Sequence, residues 1–414
     1  MPQNNFCAAA FIALSHFFGN SYPSIVCFRL LFKPMNAQQK PHKTALLLTG
    51  GGARAAYQVG VLKAIAQQFP RNSKVPFQIV CGTSAGAING TAIACYASCF
   101  HLGVRKLEYV WKNFHTHHVY YSDYFRATYH LLRGFLSAFQ ADYANPRPVS
   151  LLDNKPLKLL LHELLDLKRL DRNIMGGYLD SVSVTASCYN TGDSITFFQS
   201  RDANEWQRAR RCGQQTLIGI HHLMASAAIP LVMPSVRINQ HYYGDGSVNQ
   251  LAPLSAPIHL GADRILIIGL EQPRRSEHVV QMPHHPNMST IAGHLLDSIF
   301  SDTLNADMER MLRVNKTIQT LQENNIPSEL KPIESFLINP SSNFNQLANE
   351  HFLSLPMAIR TLLRTIGIKQ HSDSSLASYL LFEKNFTRRL IDLGYEDGMR
   401  QIDDIMAFLT KVPD

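Results

Sequence analysis

The sequence predicts an α/β fold in which a mainly parallel sheet is followed by a mostly helical C-terminal region. Two short apolar runs, "TALLLTG" from Thr44 and "FQIVCG" from Phe77, have the length and composition of buried parallel strands. A helix-like segment rich in small residues follows each run. This strand–helix–strand–helix order is typical of a parallel sheet with right-handed crossovers.

Periodicity and turn residues predict the elements up to residue 272. Helices are expected in "RKLEYVWKNF" and "PLKLLLHELLDL", where apolar residues recur at helical spacing. Two alternating segments, "LDSVSVTASCYN" and "DSITFFQS", flank the turn "TGD" and predict a hairpin. Pro230 should end the helix "HHLMASAAIP", and "YYGDGSVNQLAP" is predicted to be a loop. The helix "PLSAPIHLG" and the buried strand "ADRILIIGL" complete this part.

The character of the sequence changes after residue 273. A polar, proline-containing stretch over 273–290 predicts a linker, and residues 294–321 predict one long amphipathic helix. The run "IESFLINP" predicts an edge strand. The chain ends in helical segments, with breaks expected at Gly394 and Gly398. We expect this region to cover one side of the sheet; a lipid-docking surface is the alternative.

The N-terminal segment is apolar but does not have the charge pattern of a secretory signal. "FCAAAFIALSHFF" has no positively charged lead and is short for a membrane span. Met35 begins a polar stretch that leads into the first strand, so residues 1–34 are expected to lie outside the domain, and a weak signal or surface anchor is the alternative. The predicted parts are a tail over 1–43, a core domain over 44–272 and a helical region over 273–414 packed on that core.

Composition limits the classes of partner and cofactor. The 414 residues carry a formal charge of +8, which suits anionic lipid headgroups or nucleic acid, and is also compatible with ordinary solubilising charge. No nucleic-acid-binding motif is present, so nucleic acid is not expected as a partner. The seven scattered cysteines contain no C-x-x-C pair, so we expect free thiols in a reducing compartment and no zinc site.

The first candidate chemical motif is "GTSAG", with Ser84 between Gly82 and Gly86. A predicted strand precedes it and a predicted helix follows it, which is the setting of a nucleophile elbow. Small neighbours allow a sharp turn that exposes the hydroxyl. A glycine-rich turn with a capping serine is the alternative.

The second candidate motif is "GGGARAA", which starts at Gly50 between the first strand and its helix. Its backbone N–H groups could face an anion, either as a phosphate loop or as an oxyanion hole. The Walker G-K-[ST] ending is absent, and Ala55 occupies the last glycine position of a dinucleotide fingerprint. With a serine candidate after the next strand, the oxyanion hole is the simpler interpretation.

The third candidate is Asp245, between Gly244 and Gly246. A carboxylate in a glycine turn can simply form the turn. It could also act as general base for Ser84, and partial burial would raise its pKa toward a useful value.

Together these motifs resemble those of the patatin-like phospholipase family. The resemblance covers residues 44–272, where "GGGARA", "GTSAG" and "DGS" stand in family order, with "MASAAIPLVMPSV" and "GSVNQLAPLSAPIHLGADRILII" also family-like. It implies a three-layer α/β/α fold. Two positions depart from the family pattern: Ala55 replaces a glycine, and Ser247 stands where glycine or alanine is usual.

The resemblance also implies roles for particular residues, and needs no histidine, metal or cofactor. Ser84 would be the nucleophile and Asp245 its base. Gly82 and Gly86 would shape the nucleophile elbow, and Gly246 the loop of the dyad. The oxyanion hole would be formed by the glycine loop, with Arg54 structuring it or meeting an anionic headgroup; its members are Gly50, Gly51, Gly52, Ala53 and Arg54.

Histidines offer a competing catalytic arrangement. An α/β-hydrolase triad would require a histidine after Asp245, and His259 or His284 satisfies that order. "HTHH", from His115 to His118, lies in a predicted helical insert, and His117 and His118 are expected to face solvent; the motif has no carboxylates at metal-ligand spacing.

The expected function is therefore lipid acyl hydrolysis through a Ser-Asp dyad. A thioesterase or acyltransferase with the same dyad, and a non-catalytic lipid-binding protein, are the alternatives. The expected partner is a phospholipid or other lipid ester, with transient contact at a membrane surface. The expected location is cytoplasmic or peripheral to the membrane, with secretion left open, and the sequence does not indicate an oligomeric state.

Overall fold

A mixed, ten-stranded sheet forms the centre of the protein. In the computed structural model the described residues are 42–121, 150–273, 288–365 and 375–411. Most of the predicted N-terminal tail and most of the predicted linker lie outside them. The sheet has the strand order β10-β9-β1-β2-β3-β4-β6-β5, with β8 paired to β3 and β7 paired to β8. The strands are β1 (Thr44–Leu48), β2 (Ile79–Thr83), β3 (Ser181–Cys188), β4 (Ser194–Ser200), β5 (Trp206–Arg208), β6 (Arg211–Gln215), β7 (Val236–Ile238), β8 (His241–Asp245), β9 (Arg264–Ile268) and β10 (Glu334–Ile338).

Five neighbouring strands, from β10 to β3, run parallel, which agrees with the predicted mainly parallel sheet. The predicted strands at β1, β2 and β9 are confirmed, as is the hairpin of β3 and β4. The "IESFLINP" segment is confirmed as an edge strand, because β10 adds to β9 at one end of the sheet.

Helices lie on both faces of this sheet. Those in the described ranges are α1 (Ala56–Ala66), α2 (Ala85–Cys95), α3 (Phe100–Lys112), α4 (Lys155–Leu164), α5 (Lys168–Met175), α6 (Ile220–Ser226), α7 (Ser255–His259), α8 (Met288–Asp297), α9 (Thr303–Glu323), α10 (Phe344–His351), α11 (Met357–Thr365), α12 (Leu376–Leu380), α13 (Lys384–Arg400) and α14 (Ile402–Thr410). None of them combines the length and the apolarity needed to cross a bilayer.

The two largest apolar clusters lie between these layers, one on each face of the sheet. On one face, side chains of alternate strand positions such as Leu46 and Val80 pack with helices α1 to α4 and α13. On the other face, Leu47 and Ile267 pack with α7 and α9, through Ala256 and Met311. The C-terminal region therefore contributes to both cores and also to the sheet, more extensively than the one-sided cover that the sequence suggests.

The predicted loop "YYGDGSVNQLAP" is partly wrong. Its first residues belong to β8, which pairs antiparallel with the end of β3, so that Ala186 lies opposite Asp245. A 3₁₀ turn over Gly246–Val248 follows. This pairing partner is more than fifty residues away, and local turn signals such as Gly244 do not reveal it.

The predicted breaks at Gly394 and Gly398 are wrong, because α13 runs through both. These glycines instead permit α13 to pack closely on α1. A Cβ atom at Gly394 would lie 2.1 Å from the carbonyl oxygen of Tyr57, and one at Gly60 would lie 2.0 Å from that of Ile391. Two further helix limits differ from prediction: α6 ends at Ser226, before Pro230, and a π turn over Ser298–Asp302 separates α8 from α9.

Candidate active site

Ser84 occupies the sharp turn between β2 and α2. Its backbone has φ 54° and ψ −129°, a conformation that costs energy for a residue with a side chain. The flanking glycines allow this turn to pack tightly: a Cβ at Gly86 would lie 2.4 Å from the Leu48 carbonyl oxygen, and one at Gly82 would lie 2.5 Å from that of Gly86. This geometry fits the strand–turn–helix setting of a nucleophile elbow.

Ser226, at the end of α6, holds the backbone of this turn. The Ser84 N–H donates to Ser226 Oγ at 2.8 Å, and that hydroxyl donates to the Thr185 carbonyl at 2.6 Å. Sequence reasoning did not identify Ser226 as a site residue, although it lies within the "MASAAIP" segment noted as family-like.

Asp245 ends β8 and faces Ser84. The Ser84 hydroxyl donates to Asp245 Oδ2 at 2.5 Å, and the Ser247 N–H donates to Oδ1 at 2.9 Å. Gly246 must stay small, because a Cβ there would lie 2.1 Å from the Thr185 carbonyl oxygen. Of the two residues that depart from the family pattern, Ser247 thus supports the carboxylate through its backbone.

The Asp245 carboxyl is fully buried, and its burial raises its pKa to about 6. Hydrogen bonds from Ser84 and Ser247 favour the ionised form and limit that rise. A carboxylate with a pKa near 6 is ionised at neutral pH but accepts a proton more readily than a free aspartate, as a general base requires.

The glycine loop lies beside Ser84. A Cβ at Gly50 would lie 3.0 Å from the Cβ of Ser84, and a 3₁₀ turn begins at Gly52. The first bond of that turn runs from the Arg54 N–H to the Gly51 carbonyl at 3.1 Å. The N–H groups of Gly51, Gly52 and Ala53 precede this bond and so have no acceptor inside the turn. The loop that carries these donors adjoins Ser84 through Gly50 and lines the same cavity through Gly52.

Arg54 points into the C-terminal region. Its guanidinium is 1% exposed and donates to Ser378 Oγ at 2.8 Å, Asn345 Oδ1 at 2.9 Å and Asp297 Oδ1 at 3.2 Å. It also stacks on the Tyr379 ring at 3.8 Å from the centroid. Of the two roles considered for Arg54, structuring the loop fits this arrangement, because its donors are engaged inside the protein.

The loop backbone also packs against the C-terminal region. Gly52 has φ +55°, and a Cβ there would lie 2.4 Å from the carbonyl oxygen of Tyr379. Ala55, the other departure from the family pattern, has φ −63°, which any residue adopts. Its methyl group is accommodated in the core.

The histidines are placed away from this pair. His259 stacks on Trp206 at 4.9 Å between ring centroids, and its Nδ1 bonds the Ser255 carbonyl at 2.7 Å. Among the described residues, no histidine hydrogen-bonds to Ser84 or Asp245. His284 lies outside the described residues.

The "HTHH" stretch packs against the C-terminal region. His115 Nδ1 lies 3.1 Å from Glu383, His117 is exposed, and His118 is half-buried rather than fully solvent-facing. Over the described ranges, no group of three or more histidine, cysteine, aspartate and glutamate side chains is arranged to hold a metal ion.

An apolar cavity of about 560 Å³ reaches Ser84. Its walls come mainly from α2, α3 and α4, with Phe382 contributing from the C-terminal region. Leucine, isoleucine and aromatic side chains predominate among the lining residues, which also include Gly52 and Ser84. The site therefore joins a serine–carboxylate pair, a glycine-rich loop and an apolar cavity.

The sequence model of the patatin-like phospholipase family matches residues 46–258, which is half of the chain. The chain belongs to the patatin-like phospholipase family. The matched range contains the glycine loop, Ser84 and Asp245, and ends before the C-terminal region that holds the Arg54 side chain. No curated protein sequence matches this patatin-like chain.

Solved structures similar to this patatin-like protein share little sequence with it. VipD from Legionella pneumophila is 12% identical with a TM-score of 0.37, over 88% of this chain and 67% of that one. Human GIVD cytosolic phospholipase A2 is 11% identical with a TM-score of 0.42, over 89% and 60%. The type III effector ExoU of Pseudomonas aeruginosa is 11% identical with a TM-score of 0.33, over 90% and 54%. The match thus spans between about half and two thirds of these proteins.

Proposed function

We propose that the protein is a lipid acyl hydrolase that cleaves carboxylic esters through Ser84 and Asp245. One observation carries this proposal: the Ser84 hydroxyl donates to the Asp245 carboxylate at 2.5 Å, and Ser84 lines an apolar cavity. Membership of the patatin-like phospholipase family supports a lipid substrate. A buried carboxylate with a raised pKa, bonded to a serine, has the arrangement of a base and its nucleophile.

The first half-reaction transfers the acyl group to Ser84. Ser84 Oγ attacks the ester carbonyl carbon while its proton passes to Asp245. The carbonyl oxygen becomes an oxyanion, which the N–H groups of Gly51, Gly52 and Ala53 are available to stabilise. Collapse of the tetrahedral intermediate breaks the bond to the alcohol oxygen, which takes the proton back from Asp245 and leaves an acyl-serine.

The second half-reaction releases the fatty acid. A water molecule gives a proton to Asp245 and attacks the acyl-serine carbonyl carbon. The second tetrahedral intermediate expels Ser84 Oγ, which recovers the proton from Asp245. The dyad returns to its starting state, and no metal or cofactor enters either step.

The substrate fits the chemistry of the cavity and the charge of the chain. An acyl chain is apolar and suits the leucine-rich walls, whereas a phospholipid headgroup does not. The net charge of +8 favours transient contact with an anionic lipid surface, at a peripheral cytoplasmic location.

Labelling with a fluorophosphonate probe tests the dyad. We expect the purified protein to label covalently, Ser84→Ala to abolish labelling, and Asp245→Asn to slow it at least a hundredfold because the general base is lost. His259→Ala is the matched control and should label normally, since that ring stacks on Trp206.

Product analysis then tests the reaction. Free fatty acid released from phosphatidylcholine vesicles and from a nitrophenyl ester would support hydrolysis. Transfer of the acyl group to an added alcohol or thiol in preference to water would support an acyltransferase instead. A folded wild-type protein that neither labels nor releases fatty acid would contradict the proposal.

A further inference from the structure

One face of α2 forms a continuous wall of the apolar cavity. Ala85, Ile88, Ala92 and Tyr96, which follows the helix, all line it. At 3.6 residues per turn these positions fall within about 80° of one another around the helix axis. Within α2, Ile88 and Ala92 are also the residues that are not buried in the core. This wall begins directly after Ser84, so distance from the nucleophile can be counted along the helix.

The opposite walls are apolar along the same length. Helix α4 turns one face of leucines to the cavity, through Leu157, Leu160, Leu161 and Leu164. Helix α3 runs antiparallel to α2. Near its end the Trp111 indole donates to Asn89 at 2.8 Å, and near its start a Cβ at Gly103 would lie 2.9 Å from the Cβ of Tyr96, which follows α2. These walls offer an acyl chain continuous contact away from Ser84.

Polar groups mark the far end of the wall. There the Lys106 ammonium donates to the Tyr96 hydroxyl at 2.8 Å, and the Arg169 guanidinium lies 4.4 Å from the Tyr96 ring centroid. Arg105 is exposed, and Glu163 also lines this cavity. A methylene chain that passes Tyr96 therefore leaves apolar contact and meets charged groups and solvent.

We infer that α2 measures the acyl chain of the substrate and that Ala92 is a specificity-determining residue. The inference rests on the proposed function, with the acyl carbonyl at Ser84. A helix rises about 1.5 Å per residue, which places Ala92 about 12 Å and Tyr96 about 18 Å from Ser84. A staggered chain with bonds of about 1.5 Å advances about 1.25 Å per carbon. Ala92 then lies near the tenth carbon and Tyr96 near the fourteenth.

The side chain at position 92 would set how far a chain can extend. Ala92 and the leucines of α4 line the same cavity. Alanine contributes only a methyl group to that lining, whereas the ring of a phenylalanine at this position would project into the cavity. Chains of up to about ten carbons would still lie before the obstruction. Longer chains would lose the walls beyond it, and each methylene removed from apolar contact weakens binding roughly fourfold.

Fatty-acid binding tests the inference without requiring turnover. The Ser84→Ala protein would be titrated with fatty acids of six to eighteen carbons, which compete with a fluorescent fatty acid. We expect affinity to rise with length and to level off near fourteen carbons. When Ala92→Phe is added to Ser84→Ala, the affinity should stop rising at about eight to ten carbons. The affinity for the fourteen-carbon acid should fall at least tenfold. Ala407→Phe, at an exposed alanine of α14, is the matched control and should leave the profile unchanged.

Hydrolysis of a nitrophenyl ester series supplies the second readout. In the protein that retains Ser84, Ala92→Phe should lower kcat/KM for long-chain esters, relative to kcat/KM for short-chain esters, at least tenfold. Circular dichroism checks that the variants fold. If Ala92→Phe does not fold, Ala92→Leu, which introduces a smaller side chain, replaces it as the test and should shift the length profile in the same direction. A length profile that is unchanged in the folded variants overturns the inference. Length-dependent binding without hydrolysis of any ester would instead contradict the proposed function alone.

Discussion

The hydroxyl of Ser84 and the carboxylate of Asp245 meet at 2.5 Å, although 161 residues separate them in the chain. Both side chains are buried, and burial raises the pKa of Asp245 to about 6. The carboxylate must be ionised to accept the serine proton. Its titration should therefore control both the activity and the stability of the protein.

The pH dependence of activity follows from that titration. We expect kcat/KM for a soluble ester to rise tenfold per pH unit below about pH 6 and to level off above it, because protonated Asp245 cannot act as a base. The measurement is initial rates from about pH 4.5 to 9, with His259→Ala alongside. A midpoint that depends on His259 would contradict the dyad.

The same titration means that ionised Asp245 destabilises the folded state at neutral pH. A raised folded pKa means that the stabilising contribution is fully present below the usual value of 3.8 and is lost as pH rises through about 6. The rise in pKa from 3.8 to about 6 corresponds to a difference of about 3 kcal/mol in the contribution of Asp245 to the free energy of unfolding. We expect Asp245→Asn to be inactive yet to unfold at higher temperature than wild type at pH 8, with the difference disappearing near pH 4. Equal melting temperatures at pH 8 would contradict the raised pKa.

The backbone of Ser84 predicts a second stability difference. Its φ of 54° is accessible to glycine but costs other residues of order 1–3 kcal/mol. We expect Ser84→Gly to be more stable than Ser84→Ala by about 1 kcal/mol, after the greater unfolded-state freedom of glycine is taken into account. Urea unfolding of the two inactive variants measures this. The control is Ala407→Gly within α14, where glycine should be less stable than alanine because the position lies inside a regular helix. Equal stability of the two Ser84 variants would argue against strain at the elbow.

Much of this site could be predicted because its parts are local patterns. The runs before Gly50 and Gly82 are short and apolar, so their strands and the turns after them follow from composition. Ser226 could not be found in this way, because its role depends on contacts with Ser84 and Thr185, 142 and 41 residues away. Its small polar side chain is common on helices and has no local signature.

The contacts between the C-terminal region and the glycine loop could not be predicted from the sequence either. The aromatic ring that stacks on the Arg54 guanidinium belongs to Tyr379. The amide oxygen that accepts a hydrogen bond from this guanidinium belongs to Asn345, which is 291 residues from Arg54 in the chain. Periodicity predicted helices in that region, but it carries no information about which loop they touch. The arginine of the motif suggested either a structural or a headgroup role, and only the packing distinguishes the two.

Substitution of Arg54 should therefore affect both the conformation of the glycine loop and the stability of the protein. In Arg54→Lys the charge remains, but a single ammonium cannot reproduce the bonds to Ser378, Asn345 and Asp297. We expect a loss of about 2–4 kcal/mol in stability, since buried acceptors are left unpaired. A loosened loop should lower kcat more than it raises KM.

Ser378→Ala is the milder comparison, because it removes one acceptor and leaves the guanidinium in place. It should show the same pattern with a smaller amplitude. A variant series in which KM for anionic lipids rises while kcat and melting temperature stay unchanged would instead support the headgroup role for Arg54.

The crossing of α1 and α13 provides the last prediction. Alanine in place of glycine normally stabilises a helix by about 1 kcal/mol. At Gly394 the added methyl group would lie 2.1 Å from the Tyr57 carbonyl oxygen, a backbone atom that cannot move without displacing α1. At Gly398, four residues along the same face, the nearest atom is the Ala64 methyl at 2.9 Å. We expect Gly394→Ala to lower the melting temperature strongly and Gly398→Ala only slightly, as followed by circular dichroism. If α13 instead broke at these glycines, both alanines would be stabilising, since each would favour a continuous helix.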